Sequence, residues 1–294
     1  MPASVLVIGR TGQLARELAA APAPAGMALE FLGREALDLS RPEAAGDRVR
    51  ARSPGLVLLA AAYTAVDRAE GDEETAMRVN AAAPGAIARA CAEIGAPLVH
   101  VSTDYVFDGA KPEPYVETDP VRPASVYGRS KLAGERRIAE SGARAAILRT
   151  SWVYSPFGSN FVKTMLRLSE TRDEVSVVAD QLGRPTAAAD LAEAVLAMGG
   201  RLLQRDPAAE GVFHYAGRGD ATWADFAEAV FAGAAARGRR PVGVRRIDTA
   251  DYPTPAPRPA NSRLDTGKIE AMGVPVRPWR DALETCLDRL GVGA

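Results

Sequence analysis

The chain has 294 residues, 47% hydrophobic and 25% charged, enough for one large globular domain or for a large and a small one. A formal net charge of -1 gives no overall attraction for nucleic acid or for an anionic membrane surface. Two cysteines, Cys91 and Cys286, each lie in a helix-like segment without a second cysteine or a histidine nearby, which argues against a disulfide framework, a thiol redox pair and a zinc site. Both are read as buried fillers. No apolar run approaches the roughly 20 residues of a membrane span. Strand-like residues start at once, with no basic region before a hydrophobic stretch, so a cytoplasmic protein without a membrane or nucleic-acid partner is expected.

Taken in chain order, the first half alternates short β-branched runs with longer Ala-rich amphipathic ones. The pattern predicts strands at Val5–Ile8, Leu29–Leu32, Leu56–Ala60, Pro97–Val101 and Ala145–Leu148. Helices are predicted between them at Gln13–Ala21, Pro42–Arg52, Glu73–Ile94 and Lys131–Glu140. The strands are apolar on both faces, as needed where helices cover both sides of a parallel sheet. A Rossmann-type doubly wound α/β domain over residues 1–150 is therefore expected.

Beyond residue 150 the alternation weakens. Helix Phe161–Leu168, strand Val175–Val178, helix Ala188–Leu203, strand Val212–Tyr215, helix Ala224–Ala236 and helix Trp279–Leu290 are predicted. Residues 151–294 are expected to form mainly a smaller α/β substrate-binding domain, with some elements returning to the first sheet. The Pro-rich "DYPTPAPRPANS" reads either as a linker or as an ordered loop, and Arg258 within it is compatible with an anion contact.

The segment "VLVIGRTGQLA" gives a strand, then Gly9 and Gly12, then a helix. Missing side chains at those two positions let the backbone turn tightly and offer helix N-terminal N–H groups to a pyrophosphate. Ala15 occupies the third glycine position and is still small enough for close helix–strand packing. After the second strand, "FLGREALDLS" presents Gly33 and Arg34 where an acidic residue would bind an adenosine ribose. An arginine there can meet a 2′-phosphate, which suggests NADPH over NADH; a solvated loop arginine is the competing reading.

Two further stretches carry chemistry. "VHVSTDYVFDG" ends an apolar strand in Ser102, Thr103, Asp104 and Tyr105, and "PASVYGRSKLAGE" sets Tyr127 and Lys131 four residues apart on one helical face. Ketone reduction needs a hydride at carbon and a proton at oxygen, and a phenol with a pKa near ~10 is a slow acid at neutral pH. The Lys131 ammonium beside Tyr127 would favour the phenolate, and it could also hold cofactor ribose hydroxyls. Thr103 would hydrogen-bond the developing alkoxide. His100 and His214, in apolar strand runs, read as satisfied structural residues, while Asp67 and Glu70 read at least as well as helix-capping carboxylates. Asp104 has no assigned role.

This combination resembles the extended short-chain dehydrogenase/reductase superfamily and, within it, the dTDP-4-dehydrorhamnose reductase family. The likeness spans nearly the whole chain through "GRTGQLARE", "AAYTAVDRAE", "STDYVFDG", "SVYGRSKLAGE", "RTSWVYSPFGSNFVKTM", "DQLGRPT" and "RPANSRLDTGKI". It implies hydride transfer from NADPH, with NADH as a further option, to the C4 carbonyl of dTDP-4-dehydro-6-deoxy-L-mannose, giving dTDP-L-rhamnose. By motif position Thr103, Tyr127 and Lys131 are catalytic. Gly9, Thr11, Gly12, Gln13 and Leu14 fall in the cofactor turn, Asp38 and Leu39 near the adenine, and Ala61, Ala62 and Tyr63 along the cofactor. Val66, Tyr105 and Trp152 match positions touching the sugar or its nucleotide, with Asn160, Gln181 and Arg258 as weaker candidates for the nucleotide end. Apart from the family match, Trp152 reads rather as a core aromatic after the strand Ala145–Leu148. Some relatives dimerise through a carboxylate-bound magnesium near Glu17 and Asp190, but two helix carboxylates do not make a metal site, so none is expected. A monomer or homodimer acting on a dTDP-sugar is anticipated. The competing functions are a nucleotide-sugar epimerase or dehydratase using the same tyrosine and lysine, and a non-catalytic reductase-like regulatory subunit.

Overall fold

In the computed structural model, which describes residues 2–293, five strands of the first half lie in parallel register. They are β1 (Ala3–Ile8), β2 (Met27–Leu32), β3 (Leu56–Leu59), β4 (Leu98–Thr103) and β5 (Ala145–Thr150). A late strand, Gly211–His214, joins them, and the order across the sheet is Gly211–His214, β5, β4, β3, β1, β2. The chain runs outward from β1 to β2, then crosses back to β3 on the other side of β1. At that reversal the connections leave in opposite directions and a crevice opens beyond the strands' carboxyl ends.

Strand alternation explains why both faces must be apolar. Val5, Val7, Leu56, Leu58 and Val99 pack against helices Gln13–Ala20 and Ala188–Leu203. Leu6, Ile8, Val57, Leu59 and Leu98 pack against helices Pro42–Arg52 and Ala83–Ile94. Each such buried side chain is worth about 1.5–3 kcal/mol.

A second core gathers Val162, Phe226, Phe231, Trp279 and Leu283 from helices Phe161–Leu168, Trp223–Ala236 and Trp279–Arg289, with Tyr154 from the short strand Val153–Tyr154. It also carries a parallel pair, Glu174–Val178 with Gly243–Ile247. That last strand was not anticipated, because Arg245 and Arg246 give it a polar edge without clear alternation.

Two further boundaries differ from expectation. The helix carrying Tyr127 spans Val126–Ala139 and so starts five residues before Lys131. Its first turn is held by Ser125, whose hydroxyl accepts from Gly128 N–H at 3.1 Å, and by Glu70, whose carboxylate accepts from Val126 N–H at 2.9 Å. The expected helix Glu73–Ile94 contains a wide π turn at Arg78–Ala82. Of its two readings, the Pro-rich segment takes that of an ordered loop: Leu182 N–H donates to Ala260 at 2.8 Å, and Ser262 N–H returns to Leu182 at 2.7 Å.

Candidate active site

The crevice is a cavity of about 940 Å³. Its floor is the turn after β1, where Gly9 adopts φ +132°, a conformation that L side chains rarely reach. Ala15 at the third turn position is buried, and its methyl lies 3.5 Å from where a Gly9 Cβ would stand, so the small residue does the packing work expected of it. Gly9, Thr11, Gly12, Gln13 and Leu14 face the cavity, with Arg34, Asp38 and Leu39 on the β2 side and Ala61, Ala62 and Tyr63 after β3. Val66, Thr103, Tyr105, Tyr127, Lys131 and Trp152 complete it on the β4 and β5 side. The volume and backbone donors fit a dinucleotide, which the glycine turn and these walls would hold.

Tyr127 reaches Thr103 because its helix begins against the exit of β4. A side chain at Gly128 would stand 2.2 Å from the Tyr105 carbonyl, so only glycine allows this approach. The Thr103 hydroxyl shares the cavity wall with Tyr127 and lies 3.1 Å from Asp104 Oδ1. Tyr105 meets Tyr127 edge-on, with ring centroids 5.6 Å apart. Burial pushes the Tyr127 phenol well above its usual range, with the charge of Asp104 adding to the effect. The phenol is therefore fully protonated at neutral pH.

Lys131 departs from the expected contact. Its ammonium donates to the Val101 carbonyl at 2.7 Å and lies 3.1 Å from His100 Nε2, and no direct bond joins it to the phenol. Burial lowers its pKa to about 8, against an upward pull from Glu135. Asp104, unassigned from sequence, is buried with Oδ2 unpartnered, and burial pushes its carboxyl up to about 6. The histidines are less satisfied than expected, since His100 Nδ1 and His214 Nε2 have no partner.

Trp152 sits at φ +50°, and its ring stacks on Trp223 with centroids 3.6 Å apart. Gly183 lies under it: a Cβ there would come within 2.3 Å of the indole. Trp152 thus belongs both to the second core and to the cavity wall.

Asn160, Gln181 and Arg258 are not on that wall, because each is engaged by the protein. Asn160 donates to Gln13 Oε1 at 2.9 Å and caps the helix starting at Phe161. Gln181 bridges Trp223 Nε1 at 3.1 Å and the Thr249 hydroxyl at 2.9 Å. Arg258 pairs with Asp67 at 2.6 Å. The two carboxylates weighed for a metal are taken as well: Glu17 by Arg289 at 2.8 Å and by the Ser155 hydroxyl at 2.7 Å, Asp190 by Arg277 at 2.8 Å.

Several neighbours escaped the sequence reading. Arg10, inside the glycine turn, faces the cavity beside Arg34; its place between Gly9 and Gly12 was the available signal. Thr150, on the cavity wall at the end of β5, has a buried hydroxyl without a partner and lies opposite Thr103 in the strand register. Asn80 had no signal, since the π turn is what brings it to Tyr63, whose N–H donates to its amide oxygen at 2.8 Å.

The doubly wound sheet, the glycine turn and a wall of hydroxyl, phenol and ammonium define a Rossmann-type short-chain dehydrogenase/reductase. Residues 3–292 match the family model described as RmlD substrate binding domain. A dTDP-4-dehydrorhamnose reductase of Sinorhizobium fredii is 47% identical over 278 residues, covering 94% of each chain. The Clostridium acetobutylicum dTDP-4-dehydrorhamnose reductase structure superposes with a TM-score of 0.90 at 36% identity, covering 98% of this chain and 99% of that one. The corresponding Bacillus anthracis enzyme, solved in complex with NADP, gives 0.89 at 34% identity, covering 98% and 100%. The chain belongs to the dTDP-4-dehydrorhamnose reductase family, and it is an oxidoreductase. No helix among the described residues is long and apolar enough to cross a membrane.

Proposed function

We propose that this protein uses NADPH to reduce the C4 carbonyl of dTDP-4-dehydro-6-deoxy-L-mannose, giving dTDP-L-rhamnose, with Tyr127 as proton donor. The observation that carries the reading is the shared cavity: the glycine turn and the Thr103–Tyr127 pair face one space. When bound, the reduced nicotinamide supplies the hydride. The protein's part is then to hold the carbonyl oxygen and deliver a proton to it. Tyr127, kept protonated by burial, donates its O–H as negative charge builds on that oxygen. The Thr103 hydroxyl, on the same cavity wall as the phenol, stabilises the same charge. Lys131 keeps a positive charge at the cavity wall, where it favours the phenolate left after transfer and can bind ribose hydroxyls. Trp152 offers an apolar face suited to the methyl group of a deoxysugar.

Gly9, Thr11, Gly12, Gln13, Leu14, Ala61, Ala62 and Tyr63 would line the cofactor, with Asp38 and Leu39 near the adenine and Arg34 toward a 2′-phosphate. Val66 and Tyr105 would meet the substrate. Asn160, Gln181 and Arg258 act one layer out, through Gln13, Trp223 and Asp67. Adding dTDP-4-dehydro-6-deoxy-L-mannose to protein and NADPH should release NADP⁺ in equimolar amount with dTDP-L-rhamnose. Turnover without net oxidation would overturn the reading in favour of an epimerase. UDP- and GDP-linked analogues in the same assay test the base.

A further inference from the structure

Side chains on β4 alternate between the two faces of the sheet, so His100 and Ser102 both point at helix Val126–Ala139. They meet Lys131 and Glu135, which are one helical turn apart. His100 lies deep, flanked in register by Leu59 and Ile147, and is 1% exposed. Its Nε2 is 3.1 Å from the Lys131 ammonium, while its Nδ1 has no partner. A buried polar atom left unpaired is a standing cost to stability, and an apolar residue among these neighbours would avoid it. The imidazole therefore needs an explanation beyond filling space.

An ammonium carries three hydrogens. His100 Nε2 and the Val101 carbonyl accept two of them, both from the sheet side, and Lys131 lies on the cavity wall. The third hydrogen is left for the cavity. We infer that His100 is a positioning residue for Lys131: as a neutral acceptor it fixes the ammonium in one rotamer, so that the remaining N–H points at the ribose hydroxyls of a bound dinucleotide. Burial next to this cation drives the His100 pKa well below its usual value, which keeps Nε2 an acceptor. Without that acceptor the long Lys131 chain would have only the Val101 carbonyl to hold it, and would lose orientation while keeping its charge.

The role of Lys131 toward the dinucleotide belongs to the proposed function, so the test uses cofactor binding as well as turnover. Affinity for NADPH is read by fluorescence titration of the intact protein, and the melting temperature is measured in parallel. His100→Leu is expected to weaken NADPH binding about tenfold or more, the scale of one hydrogen bond to a charged group, and to raise the KM for NADPH more than it lowers kcat. His100→Gln, whose amide oxygen can stand near the Nε2 position, is expected to stay within about threefold of wild type. Wild-type affinity in His100→Leu, or equal losses in the leucine and glutamine variants, would overturn the inference. Should His100→Leu not fold, His100→Asn replaces it, because its shorter amide cannot reach Lys131: affinity kept by Gln and lost by Asn supports the role, and equal affinity overturns it. NADPH binding that follows this pattern in a protein inactive on the dTDP-ketosugar would reject the proposed reaction and leave the role of His100 standing.

Discussion

Arg149 and Glu135 form a forked, buried ion pair beneath the strand end that carries Thr103, with Nη2 2.7 Å from Oε2 and Nε 3.0 Å from Oε1. The Ser102 hydroxyl donates to the same carboxylate at 2.5 Å. Both charged side chains are 5% exposed, so neither can turn to water if its partner is lost. Removing one by Glu135→Leu should cost about 3–5 kcal/mol, and adding Arg149→Leu should recover much of that loss. Urea denaturation of the two single variants and the double measures this. Strictly additive losses would mean the pair is not what matters there.

Tyr127→Phe removes the proposed proton donor and keeps the ring that packs against Tyr105. Turnover should fall by about 10²–10⁴-fold with NADPH affinity near that of wild type. Steady-state assays combined with fluorescence titration give both values. Retained turnover would take Tyr127 out of its assigned role.

Asp104 predicts a pH effect whose sign follows from its shift. Burial raises its folded pKa from 3.8 to about 6, so between those values the folded protein binds more protons than the unfolded one. Stability contributed at this site is therefore full below the lower value and is lost as pH rises through the upper one. Asp104→Asn should gain on wild type by an amount on the order of 2–3 kcal/mol between about pH 4 and pH 7. Paired denaturation curves at the two pH values decide it, and a difference independent of pH would show the carboxyl is not held in that state.

Arg34 and Arg10 bear on cofactor choice. Arg34 Nε is 3.6 Å from Asp38 and Arg10 Nη1 is 3.1 Å from Glu35, both in exposed pairs that hold little energy and yield easily to a phosphate. Arg34→Ala should lower kcat/KM for NADPH by roughly tenfold and leave NADH nearly unchanged, with Arg10→Ala deepening the effect. Equal values for both cofactors in wild type and variant would discard the idea.

Legibility followed the reach of local rules. β1 to β5 could be found because helices on both sides demand continuous apolar runs, and Gly9, Gly12, Thr103, Tyr127 and Lys131 stand in segments whose spacing has chemical meaning. What escaped depends on distant contacts. Nothing near Lys131 in the sequence says that its ammonium turns toward His100, 31 residues earlier. The same holds for Asn160, whose amide donates to Gln13, 147 residues earlier. Strand Gly243–Ile247 was hidden by its arginines, and Asp104 acquired meaning only once its burial was known.

The Glu17–Arg289 pair couples the beginning of the chain to its far end. Glu17 is 3% exposed on the helix that grows out of the glycine turn, and the cation opposite it arrives some 270 residues later. The helix that grows out of the glycine turn therefore draws its counter-charge from a segment made long after the first five strands. A ribosome that has finished the first five strands has still to deliver the counter-charge beneath the turn.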